Sequence, residues 1–406
     1  MSPTIAMFSM HTSPLDLPGS TKDAGGMNVY MRELARALAQ RNITIDIYTR
    51  WSHPHTPRIV QLVPQVRVIH IEAGPLDVVP KNDLYQYVSS FAYNIEEFRR
   101  HEGREYDLLH SHYWLSGLTA LTLSRLWDVP HVTMFHTLGR LKKLANPDEP
   151  ESALRLEMEH KLIQHVDRII ASTADERTQL IRYCGATCQQ VAVVPCGVDL
   201  ELFKPHNKQL ARKRLGLPLH RPIVLFAGRL DPFKGPDILL HAAAIMKARP
   251  HVVIVGGASP ADKDVQQLRS LAEKLGIVSR VHFVGARPQQ ELPLYYSAAD
   301  VTAVPSYHET FGLAAVESQA CGTPVVATRA GGLITVVQHG QTGFLVPRCP
   351  GFFAGHIDNL LCDTALHARM SAQCRQSVIQ YSWKDIALQV EQLYNSLICV
   401  PCQVAQ

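Results

Sequence analysis

Residues 222–235 read Pro222-Ile-Val-Leu-Phe-Ala-Gly-Arg229-Leu-Asp-Pro-Phe-Lys234-Gly235. An apolar run of strand length ends at a glycine and opens into a loop with two cations. This is the first half of a βα unit, and the same grammar repeats on both sides of it. Downstream, His251–Gly257, Val281–Gly285, Val301–Pro305, Pro324–Thr328 and Gly343–Pro347 read as further strands. Helical patterns such as Asp264–Leu275 and Phe311–Ala320 separate them.

Upstream, the strands read Ile5–Met10, Thr44–Thr49, Val66–Ile71, Leu108–His112, His131–Phe135, Arg168–Ala171 and Val191–Pro195. Met31, Leu34, Ala35 and Leu38 fall at helical spacing after the pair Gly25-Gly26, so a helix follows the first strand. Alternating strand and helix patterns build parallel sheets. The expected fold is therefore α/β, with two Rossmann-like domains facing across a cleft. Residues 1–200 form the first and 201–382 the second, with the polar stretch Lys204–Arg221 as the linker. Ligands of such sheets bind outside the carboxyl ends of the strands, so the chemistry belongs in the βα loops.

A chain of 406 residues has room for two cores. With 46% hydrophobic and 19% charged residues it is an ordinary globular composition, which excludes disordered and fibrous classes. A net charge of +4 without a Lys/Arg run and interleaved aromatics argues against a nucleic-acid partner. No apolar stretch reaches membrane-spanning length and the first residues carry no secretory pattern, so a cytoplasmic location without stable membrane association is expected. Nine cysteines, among them Cys196, Cys321 and Cys374 in apolar contexts, read as reduced buried thiols. Cys399-x-x-Cys402 has no second pair and reads as structural.

Several constellations carry chemistry. Arg229 and Lys234 on one loop suit a diphosphate: a guanidinium fork can bind phosphate oxygens bidentately, and an ammonium adds a point charge. After strand Val301–Pro305 comes Ser306-Tyr-His-Glu309-Thr-Phe311-Gly312-Leu313-Ala-Ala-Val-Glu317. Phe311–Leu313 fall at a helix start, where free N–H groups can hold anions or sugar oxygens. Glu309 in the loop and Glu317 about two turns into the helix can hold sugar and ribose hydroxyls. Two motifs read as decoys. Asp262-Lys-Asp264 has metal-binding spacing but opens a polar helical face, where acids are favoured by the dipole. Gly256-Gly257 lacks the third glycine of a dinucleotide fingerprint.

These residues resemble a known family. Arg229 with Lys234, Glu309 with Glu317 and the run Gly322-Thr-Pro-Val-Val-Ala look like the donor domain of retaining glycosyltransferases of the glycogen synthase, or GT-B, fold, family 4 type. The resemblance implies that Arg229 and Lys234 stabilise the donor diphosphate. It places Glu309 and the Phe311–Leu313 amides on the transferred sugar, Glu317 on the ribose and Arg287 at the base edge. Asp23-Ala-Gly25-Gly26-Met-Asn-Val-Tyr matches the family's glycine loop facing the diphosphate, and His136 its histidine near the sugar. A last helix of about 383–400 is expected to pack on the first domain. No metal or cofactor is expected, because two cations can neutralise the leaving group.

His11-Thr-Ser-Pro, His110-Ser-His-Tyr113-Trp and Pro150-Glu-Ser are similar to the mycothiol-pathway enzymes that join N-acetylglucosamine to inositol phosphate. Their acceptor phosphate clamp falls here on Lys81, Tyr113, Thr137 and Arg155. His136-Thr-Leu-Gly-Arg140-Leu-Lys142 resembles instead the sucrose-phosphate synthases. The preferred expectation is sucrose 6-phosphate synthesis from UDP-glucose and fructose 6-phosphate. The alternative is transfer from UDP-N-acetylglucosamine to inositol phosphate. A sugar-nucleotide epimerase is a third reading, but it has no use for an acceptor clamp.

Overall fold

The computed structural model describes residues 2–17, 24–257 and 262–398. Cys399 and Cys402 lie outside them, as does Asp23 of the glycine loop. Among the described residues all cysteines are free thiols, with Cys196, Cys321 and Cys374 buried. No helix among these residues is long and apolar enough to cross a membrane.

Contacts divide the described chain into two units. The first comprises residues 2–16, 27–195 and 383–398, the second residues 17, 24–26, 196–257 and 262–382. The first holds an eight-stranded sheet of β1 (Thr4–Ser9), β2 (Thr44–Arg50), β3 (Ile59–Val63), β4 (Val66–Ile71), β5 (Leu108–His112), β6 (His131–Met134), β7 (Arg168–Ala171) and β8 (Val191–Val193). Its order is β3-β4-β2-β1-β5-β6-β7-β8, parallel except for β3 against β4. The unexpected strand is β3. Its residues are half-buried or exposed, so it lacks the solid apolar run that marks the buried strands.

The second unit holds β9 (Ile223–Ala227), β10 (His251–Val255), β11 (Val281–Gly285), β12 (Val301–Val304), β13 (Val325–Thr328) and β14 (Gly343–Val346). They pair in the order β11-β10-β9-β12-β13-β14, all parallel. Both sheets are doubly wound, with the order reversing between β1 and β5 and between β9 and β12. Ligands of such sheets bind at the carboxyl ends of the strands flanking the reversal. β9 runs into Arg229 and β12 into Ser306–Glu309; β1 runs into His11 and β5 into Tyr113.

The stretch Lys204–Arg221 is not a linker. It lies in the second unit and forms helix Lys208–Leu215, capped by the Asn207 side chain. The charge that made it look solvated is partly buried: Arg212, 4% exposed, binds Asp300 at 2.7 Å and the carbonyls of Ala298, Leu219 and Arg221. Asp262 caps helix Lys263–Lys274 by accepting from the Asp264 N–H, the helix-start role expected of it.

Candidate active site

The loops after β9 and β12 are tied to each other. Tyr307 N donates to Phe233 O at 2.8 Å, and the two rings lie 5.9 Å apart. Gly235 sits at φ 74°, and a Cβ there would come within 2.3 Å of Pro305 O. The bare backbone lets the two loops close up. Arg348, beyond β14, donates to Pro305 O at 3.0 Å and Pro232 O at 3.1 Å, with its guanidinium 3.6 Å from the Tyr307 ring centre. Nothing in the local sequence marks Arg348, since its partners come from two other loops.

This pairing brings Lys234 and Glu309 together. Lys234 Nζ lies 2.7 Å from Glu309 Oε1, which also accepts from Ser306 Oγ at 2.7 Å. Burial pushes the Glu309 carboxyl up, but Lys234 and Ser306 outweigh it and hold the group below its usual range. Arg229 lies 3.4 Å from Asp231 with about a third of its side chain exposed. Gly25 and Gly26 group with this unit. A Cβ on Gly25 would lie 3.8 Å from Arg229 Cδ, and one on Gly26 3.1 Å from Leu313 Cδ1.

Helix Leu313–Ala320 begins two residues later than its periodicity suggests, because Gly312 at φ 101° is its N-cap. Glu317 therefore stands just over one turn into the helix, not two. It is buried and accepts from Tyr296 Oη at 2.9 Å; burial raises its carboxyl to about 7. Phe311 is buried against Tyr381, with ring centres 5.3 Å apart. Arg287 donates to Val284 O at 3.2 Å, while its Nε is buried with no hydrogen-bond partner among the described residues. The second unit thus gathers Arg229, Lys234 and Glu309 on two joined loops, while Glu317 is packed into the helix behind them.

In the first unit His136 follows β6 at φ 58°, and Tyr113 follows β5 at φ 75°. Positive φ in side-chain-bearing residues costs about 1–3 kcal/mol each and concentrates at functional sites. His136 Nε2 lies 2.9 Å from His112 Nδ1, and the His112 ring centre lies 4.2 Å from that of His110, with the two rings tilted by 41°; His110 Nδ1 meets Tyr394 Oη at 2.6 Å. Burial lowers His110, His131 and His136 to about 3, and His112 well below its usual value, so all four rings are neutral.

The four clamp residues come together. The Arg155 guanidinium lies 5.0 Å and Lys81 Nζ 5.8 Å from the Tyr113 ring centre, and Arg155 Nη2 donates to Thr137 Oγ1 at 3.2 Å and Thr137 O at 2.9 Å. Their carboxylate neighbours are not legible as a clamp in the sequence. Arg155 Nε binds Glu159 at 2.7 Å and Nη1 binds Glu151 at 2.7 Å. Both partners stand four residues away, at ordinary helical ion-pair spacing.

Two doubly wound sheets, one with a cationic loop pair at its switch point and the other with a histidine and a basic, hydroxyl-bearing cluster, define an enzyme class: a glycosyltransferase acting on nucleotide sugars. Residues 24–202 match Glycosyltransferase Family 4 and residues 207–377 match Glycosyl transferases group 1. D-inositol 3-phosphate glycosyltransferase of Corynebacterium efficiens is 41% identical, over 98% of this chain and 96% of its own. The enzyme of that name from Thermobifida fusca is 42% identical, over 98% and 96%. Among solved structures, sucrose-phosphate synthase of Thermosynechococcus elongatus superposes with a TM-score of 0.92 at 34% identity, covering 97% of this chain and 99% of that one. The chain belongs to the glycosyltransferase family that these matches define.

Proposed function

We propose that the chain transfers N-acetylglucosamine from UDP-N-acetylglucosamine to an inositol phosphate, with retention at the anomeric carbon. The observation that carries a phosphorylated acceptor is the gathering of the Lys81 and Arg155 cations over the Tyr113 ring, with the Thr137 hydroxyl on Arg155. The preference for inositol phosphate over fructose 6-phosphate rests on relatives of 41–42% identity over nearly the whole chain. It reverses the preference drawn from His136-Thr-Leu-Gly-Arg140. That short segment is a weaker guide than whole-chain identity. Sucrose 6-phosphate synthesis is the second reading, favoured by the 0.92 superposition.

In this reading the second unit takes the nucleotide sugar. As the diphosphate leaves, Arg229 and Lys234 meet its developing charge, and fixed donors of this kind are worth about 3–4 kcal/mol each. Glu309, already bound to Lys234, orients that ammonium and accepts from a sugar hydroxyl. The amides of Phe311, Gly312 and Leu313 bind the sugar, Glu317 the ribose and Arg287 the base edge. Gly25 and Gly26 leave room for phosphate beside Arg229. His136, held by His112, is the residue to which the family resemblance gives contact with the transferred sugar. The acceptor hydroxyl attacks on the face from which the diphosphate departs and passes its proton to the leaving phosphate oxygen. The two cations take the part a metal would otherwise play.

The test is nucleoside diphosphate release with UDP-N-acetylglucosamine and inositol phosphate, beside UDP-glucose with fructose 6-phosphate, and unphosphorylated acceptors as controls. Release with the first pair alone is expected. Release with the second pair alone selects sucrose 6-phosphate synthesis, and conversion of the sugar nucleotide to its epimer without acceptor and without net diphosphate release returns the epimerase reading.

A further inference from the structure

The acceptor clamp carries its own anions. Lys142 and Arg155 together hold three carboxylates: Glu149 and Glu151 lie 2.5 Å from Lys142 Nζ, and Glu151 and Glu159 lie 2.7 Å from Arg155. Arg155, Glu151 and Glu159 are nearly sealed from water, at 6%, 7% and 3% exposure, while Lys142 and Glu149 at the rim are 19% and 16% exposed. A dianionic phosphate on Arg155 would add charge of the same sign to a cluster already rich in it. At such spacing repulsion between like charges in a poorly solvated site is large.

The three carboxylates are not equally fixed. Glu159 is inside helix Ala153–His165 and also accepts the Gly139 N–H at 2.9 Å, which ties it to two elements. Glu151 precedes the N-cap Ser152, on the connection after helix Gly139–Ala145. Its two oxygens bridge Lys142 and Arg155, one on each, as two oxygens of a phosphate can. Burial raises the Glu151 carboxyl, but Arg155 and Lys142 more than reverse this, so it is ionised at neutral pH and competes as a full charge.

We propose that Glu151 is an internal counter-anion that the acceptor's phosphate displaces from Arg155, and that Lys142, which keeps its Glu149 partner but loses Glu151, becomes an additional cation of the phosphate site. The inference rests on the acceptor clamp proposed above. Glu151 thereby sets specificity: a phosphorylated polyol can replace a carboxylate between two cations, and a neutral polyol cannot.

The experiment compares wild type with Glu151→Gln, which keeps shape and hydrogen bonding but removes the charge. Inorganic phosphate binding is measured by calorimetry, together with KM for inositol phosphate and for UDP-N-acetylglucosamine. The glutamine variant is expected to bind phosphate about tenfold more tightly and to lower the acceptor KM, with the donor KM unchanged, since one competing charge beside two cations is gone. Lys142→Met is expected to weaken phosphate binding in the Glu151→Gln background as well as alone. If wild type binds phosphate and the glutamine variant binds it equally or less well while melting at the wild-type temperature, the displacement is overturned. If neither protein binds phosphate and Arg155→Gln leaves the acceptor KM unchanged, the clamp itself falls, and the displacement with it.

Discussion

Lys234 stands 2.7 Å from Glu309 on a loop that contributes no core side chain at that position, so its removal tests chemistry more than folding. Lys234→Ala is expected to lower kcat by about 10²–10³ while the melting temperature moves little, as for loss of one fixed donor to a developing charge. Steady-state kinetics with both substrates saturating, beside a thermal melt, check this; near-normal turnover would remove Lys234 from the mechanism. Both residues were legible in the sequence because a charged side chain just past a buried strand has few structural duties. Their pairing was not, since 75 residues separate them and only the sheet order brings β9 beside β12. Tyr113 and His136 show the same limit. The residue types are visible, whereas the positive φ that sets their direction is a tertiary property.

At the scale of elements, the loops after β9 and β12 act as one piece because Arg348 bridges them through two carbonyls and a ring. A lysine keeps the charge but cannot span both carbonyls in one plane. Arg348→Lys is therefore expected to raise KM for the nucleotide sugar several-fold and leave KM for the acceptor unchanged. Parallel changes in both constants would mean that the bridge supports the unit as a whole. Elements with solid apolar runs were readable to within a residue or two, β12 and β13 among them. The exposed edge strand β3 and the helix hidden in Lys204–Arg221 were missed, the first for lack of burial and the second because buried arginine reads as solvated arginine.

On the scale of the whole molecule, charge distributes acid sensitivity unevenly. His110, His131 and His136 have folded values near 3, below the unfolded value of about 6.5. A depressed histidine contributes stability that is full above its unfolded value and is lost as pH falls from there towards the folded one, at about 1.4 kcal/mol per pH unit. His112 and His70 in the same unit are lowered as well, while Glu176, raised by burial to about 7, and Glu159, also raised by burial, work in the opposite sense, so five losses face two gains. The first unit is expected to unfold before the second as pH is lowered from 6.5 to 4.5. All four tryptophans, Trp51, Trp114, Trp127 and Trp383, lie in the first unit, so intrinsic fluorescence follows it alone. A fluorescence transition that coincides with loss of total helix by circular dichroism would contradict this order.

The final helix, Trp383–Ile398, belongs to the unit that the chain left at residue 195. Its Ile386, Val390 and Tyr394 are wholly buried, and Tyr394 closes onto His110 while Glu391 pairs with Arg41. On a ribosome, which releases the chain from its amino end, the first sheet to be made is then the last to be finished. The second sheet has all its strands by residue 346, yet the first keeps an open seam along His110 until the closing turns emerge. A chain ended at residue 382 and released from the ribosome should therefore hold a protease-resistant second unit and a protease-sensitive first one, with order of synthesis and order of completion reversed.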